Sequence, residues 1–146
     1  MIYPSRATMW HDEALVIVGG GSIYSAHDSG QDYAKYARIT THANGDEFTN
    51  GFMLEAGTYT FSVLGYTDTN LGKLDWYIDD VLVVTGEDWY GSSVNNVLKT
   101  HASITVTGSG RHVLRGVTNG KNGSSSNYYI ELTKYWFTSA SDVVSV

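Results

Sequence analysis

The 146-residue sequence has no cysteine, which excludes disulfides, thiolate zinc sites, cysteine nucleophiles and iron–sulfur ligation together. Stability must come from packing. Proline occurs once, at Pro4, and neither a proline-rich linker nor a fixed-period repeat divides the chain. The length suits one domain. Charged residues make up only 16%, and 9 Lys and Arg against 15 Asp and Glu leave a formal net charge of −6. So little basic character argues against nucleic acid as a partner and against a basic membrane-surface helix. No window approaches the ~18 apolar residues of a membrane-spanning helix, and residues 1–10 lack the apolar stretch of a secretory signal. Neither a membrane partner nor export is therefore expected.

What the sequence does have is glycine, 16 residues of it, and aromatics at 13%, with four Trp and eleven Tyr. Apolar residues recur with period two in segments rich in Val, Ile, Thr, Tyr, Phe and Trp, the pattern of half-buried strands. Residues 57–65 are the clearest case, with Tyr59, Phe61 and Val63 on one face and Thr58, Thr60 and Ser62 on the other. Residues 73–78 alternate in the same way, with Leu74, Trp76 and Ile78 inward. Asp79-Asp80 then predicts a tight hairpin into a strand over 81–84. Further strands are predicted at 14–18, 33–40, 47–54, 97–107, 111–117 and 128–137. The segment 33–40 also permits a short helix, because Tyr33, Tyr36 and Ala37 fall at helical spacing; strand is the preferred reading. Short strands at this spacing indicate an all-β sandwich or barrel.

Residues that carry chemistry are scattered. His11, His27, His42, His101 and His112 form no His-x-His or His-Glu-x-x-His unit, so structural roles are expected for them. Acidic pairs stand at Asp12-Glu13, Asp46-Glu47, Asp79-Asp80 and Glu87-Asp88. Neighbours along a strand point to opposite faces, so these pairs read as turns rather than as catalytic couples. There is no Gly-x-Ser-x-Gly elbow, and Gly19-Gly-Gly-Ser22 lacks the Gly-Lys-Ser/Thr of a phosphate loop. An enzyme is not expected.

The aromatics are more informative. Trp76 and Trp136 fall within alternating strands, whereas Trp89 and Tyr90 lie among turn formers in Gly86-Glu-Asp-Trp-Tyr-Gly-Ser-Ser93. A Trp in such a loop either folds back into the core or binds something. Flat sugar faces stack on Trp and Tyr while acids and amides take the hydroxyls, so Trp89, Tyr90, Asp88 and Asn95 are the candidate sugar site. The same side chains suit a protein interface. A second polar surface runs over 119–127 with Lys121 and Asn122, where Asn122-Gly-Ser124 also matches a glycosylation sequon. As a plain solvated hairpin this segment needs no function.

Residues 55–137 carry Ala-Gly-Thr-Tyr-Thr-Phe, Gly-Lys-Leu-Asp-Trp-Tyr-Ile-Asp-Asp-Val, Gly-Ser-Gly-Arg-His-Val-Leu and Gly-Lys-Asn-Gly-Ser-Ser-Ser-Asn-Tyr-Tyr-Ile-Glu-Leu in succession. That order resembles the galactose-binding-like jelly rolls, which include many carbohydrate-binding modules, and it also looks like stand-alone jelly-roll domains of phage virions. The resemblance implies an antiparallel jelly-roll β-sandwich as a single domain; residues 1–12 and 139–146 lie outside the best alternation and read as an N-terminal arm and a C-terminal tail around a domain over 13–138. It also allows a structural calcium held by loop carboxylates and carbonyls, although no ligand-spaced loop fixes one and no other cofactor is expected. A starting Met1 with no linker or catalytic domain tips the expectation towards a virion protein. On that reading the chain is a capsid decoration or fibre-tip domain, located in the virion, forming a homotrimer and contacting capsid or tail proteins through Trp10 and the loop at Trp89-Tyr90. The alternative is a module that recognises a glycan through exposed aromatics.

Overall fold

Segments whose apolar residues alternate become strands, because a pleated chain with one oily face is stable only when a second such face covers it. The computed structural model describes residues 43–139 in full and the strand segments 6–9, 16–18, 22–25 and 37–41 by their backbone. The strands are β1 (Arg6–Met9), β2 (Val16–Val18), β3 (Ser22–Ser25), β4 (Ala37–Thr41), β5 (Glu47–Leu54), β6 (Gly57–Thr67), β7 (Lys73–Ile78), β8 (Val81–Asp88), β9 (Val94–Val106), β10 (Gly110–Thr118) and β11 (Ile130–Ser139). There is no helix among the described residues, and the strand reading prevails where 33–40 is described. One sheet runs β3-β4-β11-β6-β9, with β1 also on β11; the other runs β2-β5-β10-β7-β8. All of these strand pairings are antiparallel. The fold is a jelly-roll β-sandwich.

The inward faces meet in a lattice of rings. Phe61 contacts Trp76 edge-on at 5.1 Å and stacks on Phe137 at 4.9 Å, while Phe52 stacks on the other side of Phe137, also at 4.9 Å. Phe48 meets Trp76 edge-on at 5.4 Å. Tyr135 reaches from β11 across the core and donates its hydroxyl to Asn50 Oδ1 at 2.5 Å. The rings of both sheets therefore interlock, and apolar burial of this kind contributes most of the folding energy.

Two local features follow the expected patterns, and one departs from them. β5 and β7 occupy the predicted residues, and Asp79 and Asp80 turn the hairpin with φ of 49° and 64°. Positive φ at both central residues is the backbone a two-residue hairpin needs to match strand twist. β8, expected to stop at residue 84, continues to Asp88 because Thr85 and Gly86 together face Asp75 in a bulge. Gly86 supplies the left-handed backbone there, with φ of 67°, and its amide donates to Asp75 Oδ1 at 2.8 Å. The extra residue inverts the alternation, so that after inward Val84 the next buried side chains are Glu87 and Trp89.

β10 passes close to Phe48 at Gly116, where a Cβ would lie 2.5 Å from the ring. Gly116→Ala is expected to cost roughly 1–3 kcal/mol through overpacking, measured by urea denaturation with an unchanged m-value.

Candidate functional site

One end of the sandwich gathers the turn at 43–46, the β6–β7 connection at 68–72, the β8–β9 loop at 89–93 and the long β10–β11 loop at 119–129. These loops are tied to one another rather than left in solvent. Segment 68–72 lies in the middle, with isolated bridges from Asp68 to Tyr90 on one side and from Leu71 to Tyr129 on the other. Gly91 N donates to Asp68 O at 3.2 Å and Trp89 N to Gly72 O at 3.1 Å. From the opposite side, Ser126 N donates to Thr69 O at 3.0 Å and Ser125 Oγ to Leu71 O at 2.7 Å. Each buried carbonyl of the middle segment thus finds a donor on a neighbouring loop.

Side chains complete the stitching. Asp68 accepts from Ser93 Oγ and from Thr69 N, both at 2.7 Å, and from the Tyr66 hydroxyl at 3.1 Å. These donors, the Ser93 hydroxyl foremost, hold its carboxyl below the ordinary range against the opposing pull of partial burial. Asp88 accepts from Tyr90 N at 2.9 Å and from Asn122 Nδ2 at 3.0 Å, which joins the β8–β9 loop to the β10–β11 loop. Asn119 Nδ2 donates to Asp75 Oδ2 at 2.8 Å, and Gly120 N donates to Asn44 Oδ1 at 2.8 Å. Lys121 Nζ donates to Ser125 O at 2.6 Å and sits 5.5 Å above the ring of Tyr128.

The predicted site residues separate. Trp89 folds back: it is 0% exposed and donates its indole N–H to Glu87 Oε1 at 2.7 Å. It offers no face for stacking and no apolar surface to a neighbour. Glu87, itself buried, also accepts from Trp76 Nε1 at 3.1 Å and faces His101 Nε2 at 2.5 Å. Asp88 and Tyr90 stay together at the loop end, half-buried. Asn95 stands half-buried in β9, where it and Asn96 bulge opposite Tyr66. Trp10, His11, His27, His42 and the pair Asp12-Glu13 lie outside the described residues. His101 and His112 take structural roles, the latter with Nδ1 2.7 Å from Asp79 Oδ2.

Sequence reasoning did not single out Asp68 or Tyr128 as site residues; the fold brings their loops to the same end as Asp88 and Asn122. Four tyrosines at this end are half-buried, and of these Tyr66 and Tyr129 pack against the core. Tyr90 and Tyr128 are the two not packed against it, with Lys121 over one face of the Tyr128 ring. Among the described residues no three acidic or histidine side chains converge in a way that could hold a metal ion.

No protein-family model matches the chain, and no curated protein matches it in sequence. Solved structures do match. A family 35 carbohydrate-binding module from Clostridium thermocellum is 12% identical with a TM-score of 0.65, over 94% of this chain and 100% of that one. A family 36 carbohydrate-binding module in complex with calcium and xylotriose is 18% identical with a TM-score of 0.54, over 86% of this chain and 99% of that one. A Paenibacillus xanthan lyase is 23% identical with a TM-score of 0.69, over 86% of this chain, which spans 12% of the lyase. At these identities the likeness is one of fold, and the resemblance to galactose-binding-like jelly rolls holds at that level.

The comparisons correct the virion expectation. The two modules above, matched over 100% and 99% of their length, are carbohydrate-binding modules, and the inward Trp89 removes the apolar contact on which capsid docking at this loop was to rest.

Two outcomes are expected of this geometry. Glu87→Ala strands two buried indole N–H groups and is expected to destabilise by roughly 3–5 kcal/mol in denaturant titration. Ser93→Ala removes the main donor to Asp68, so the Asp68 carboxyl is expected to titrate closer to the ordinary range, followed by its NMR shift. A depressed carboxyl stabilises the fold above its unfolded value near pH 4 and loses that contribution as pH falls through the folded one; the variant lacks this part of the acid dependence.

Proposed function

We propose that this chain is a non-catalytic carbohydrate-binding module whose glycan lies across the loop end bearing Tyr90 and Tyr128. The supporting observation is the match in fold along two carbohydrate-binding modules, over 100% of one and 99% of the other.

The chemistry of the loop end suits a sugar. Tyrosine offers an apolar ring against which the C–H face of a pyranose packs, and its hydroxyl remains available to water or ligand. The same end carries carboxylates, an amide and a hydroxyl from Asp68, Asp88, Asn122 and Ser126, groups of the kind that meet the alternating donors and acceptors of a sugar's rim. Their internal hydrogen bonds hold the loops in one arrangement before ligand arrives, which lowers the ordering cost of binding. Trp89 supports the loop from beneath and touches no ligand.

Affinity electrophoresis through gels containing xylan or xanthan, together with calorimetry with xylotriose, tests the reading. Retardation by at least one polysaccharide is expected. Tyr90→Ala and Tyr128→Ala are each expected to weaken binding about tenfold while melting as the parent does. A chain that ignores these glycans, or one whose binding survives both substitutions, would contradict the proposal.

A further inference from the structure

The sequence holds four Asn-Gly dipeptides, Asn44-Gly45, Asn50-Gly51, Asn119-Gly120 and Asn122-Gly123. Asparagine before glycine is the pairing most prone to spontaneous loss of its side-chain amide, because glycine lets its backbone nitrogen reach the asparagine Cγ. The fold treats the four differently. Gly45 N is engaged with Thr118 O and Gly120 N with Asn44 Oδ1, both at 2.8 Å. Asn50 is 1% exposed and lies inside β5, whose ladder fixes an extended backbone. Gly123 is exposed, its amide donates to none of the described residues, and a Cβ there would meet nothing within 4 Å. In addition, Ser124 N donates to Asn122 Oδ1 at 3.0 Å, the oxygen on which negative charge builds when Cγ is attacked.

We infer that Asn122 is a site of spontaneous deamidation, and that its conversion unties the two loops that frame the loop end. The Gly123 nitrogen forms a bond to Asn122 Cγ and gives up its proton. The Cγ–Nδ2 bond breaks, ammonia leaves and a succinimide remains. Water then opens the ring at either carbonyl, giving aspartate or isoaspartate; the net change is amide plus water to carboxylate plus ammonium. The bond from Asn122 Nδ2 to Asp88 Oδ2, 3.0 Å long, must break on the way. Its loss is also what makes the product matter, since a carboxylate then stands where a donor to Asp88 stood. Two carboxylates in contact repel each other, and isoaspartate also lengthens the backbone.

The test is to incubate the folded full-length protein in mildly alkaline buffer and follow each Asn-Gly peptide by mass spectrometry, with a parallel sample in denaturant. Asn122 is expected to convert about tenfold faster than Asn44, Asn50 or Asn119 in the folded protein, with the four rates drawing together once unfolded. Gly123→Ala is expected to slow the reaction. Asn122→Asp, which reproduces one product, is expected to lower Tm by about 3 °C. Conversion of Asn44 or Asn119 as fast as Asn122 in the folded protein, or the same ranking in denaturant, would overturn the assignment of the site. An Asn122→Asp variant that melts with the parent would overturn its consequence.

Discussion

The Glu87 carboxylate is the constraint on which the loop end depends. It is buried, and its Oε1 accepts from the indoles of Trp76 and Trp89 while its Oε2 faces His101. A carboxylate in an apolar interior is expensive unless its oxygens are hydrogen-bonded; here two indole N–H groups donate to Oε1 and the His101 ring nitrogen lies against Oε2. Trp76 belongs to the aromatic lattice between the sheets and His101 to β9, so one side chain ties β7, β8, β9 and the start of the β8–β9 loop together. The loop that follows leaves the sheet from a fixed point, which is why Asp88 and Tyr90 have defined neighbours.

That arrangement arises from one glycine. Read with period two from Val84, the segment would send Gly86 and Asp88 inward and leave Glu87 and Trp89 to solvent. The bulge at Thr85-Gly86 reverses the parity, and a tryptophan surrounded by turn formers becomes a core residue. Local alternation was legible in β5 and β7, which run over the predicted residues, and Asp79-Asp80 makes its turn. The jelly-roll architecture was legible too, through the order of its strand and turn segments.

The loop end was legible only in part. Asp88 and Tyr90 stood out by their neighbours in sequence, whereas Asp68, Asn122 and Tyr128 acquire meaning through contacts between residues far apart along the chain. Asn122 meets Asp88 across 34 positions and Ser93 meets Asp68 across 25. No periodicity encodes such pairs. The virion expectation failed for a different reason: it was tipped by how the chain begins, and the loop side chain it relied on, Trp89, turns inward.

The central claim is that ligand lies across the loops and not on either sheet face. Titrating a soluble polysaccharide into isotopically labelled protein and following backbone amides by NMR tests it most directly. The account predicts shifts concentrated in 68–72, 89–93 and 119–129, with the strands of both sheets quiet. Shifts centred on the outward residues of β10 or β11, or no shift with any polysaccharide offered, would contradict it.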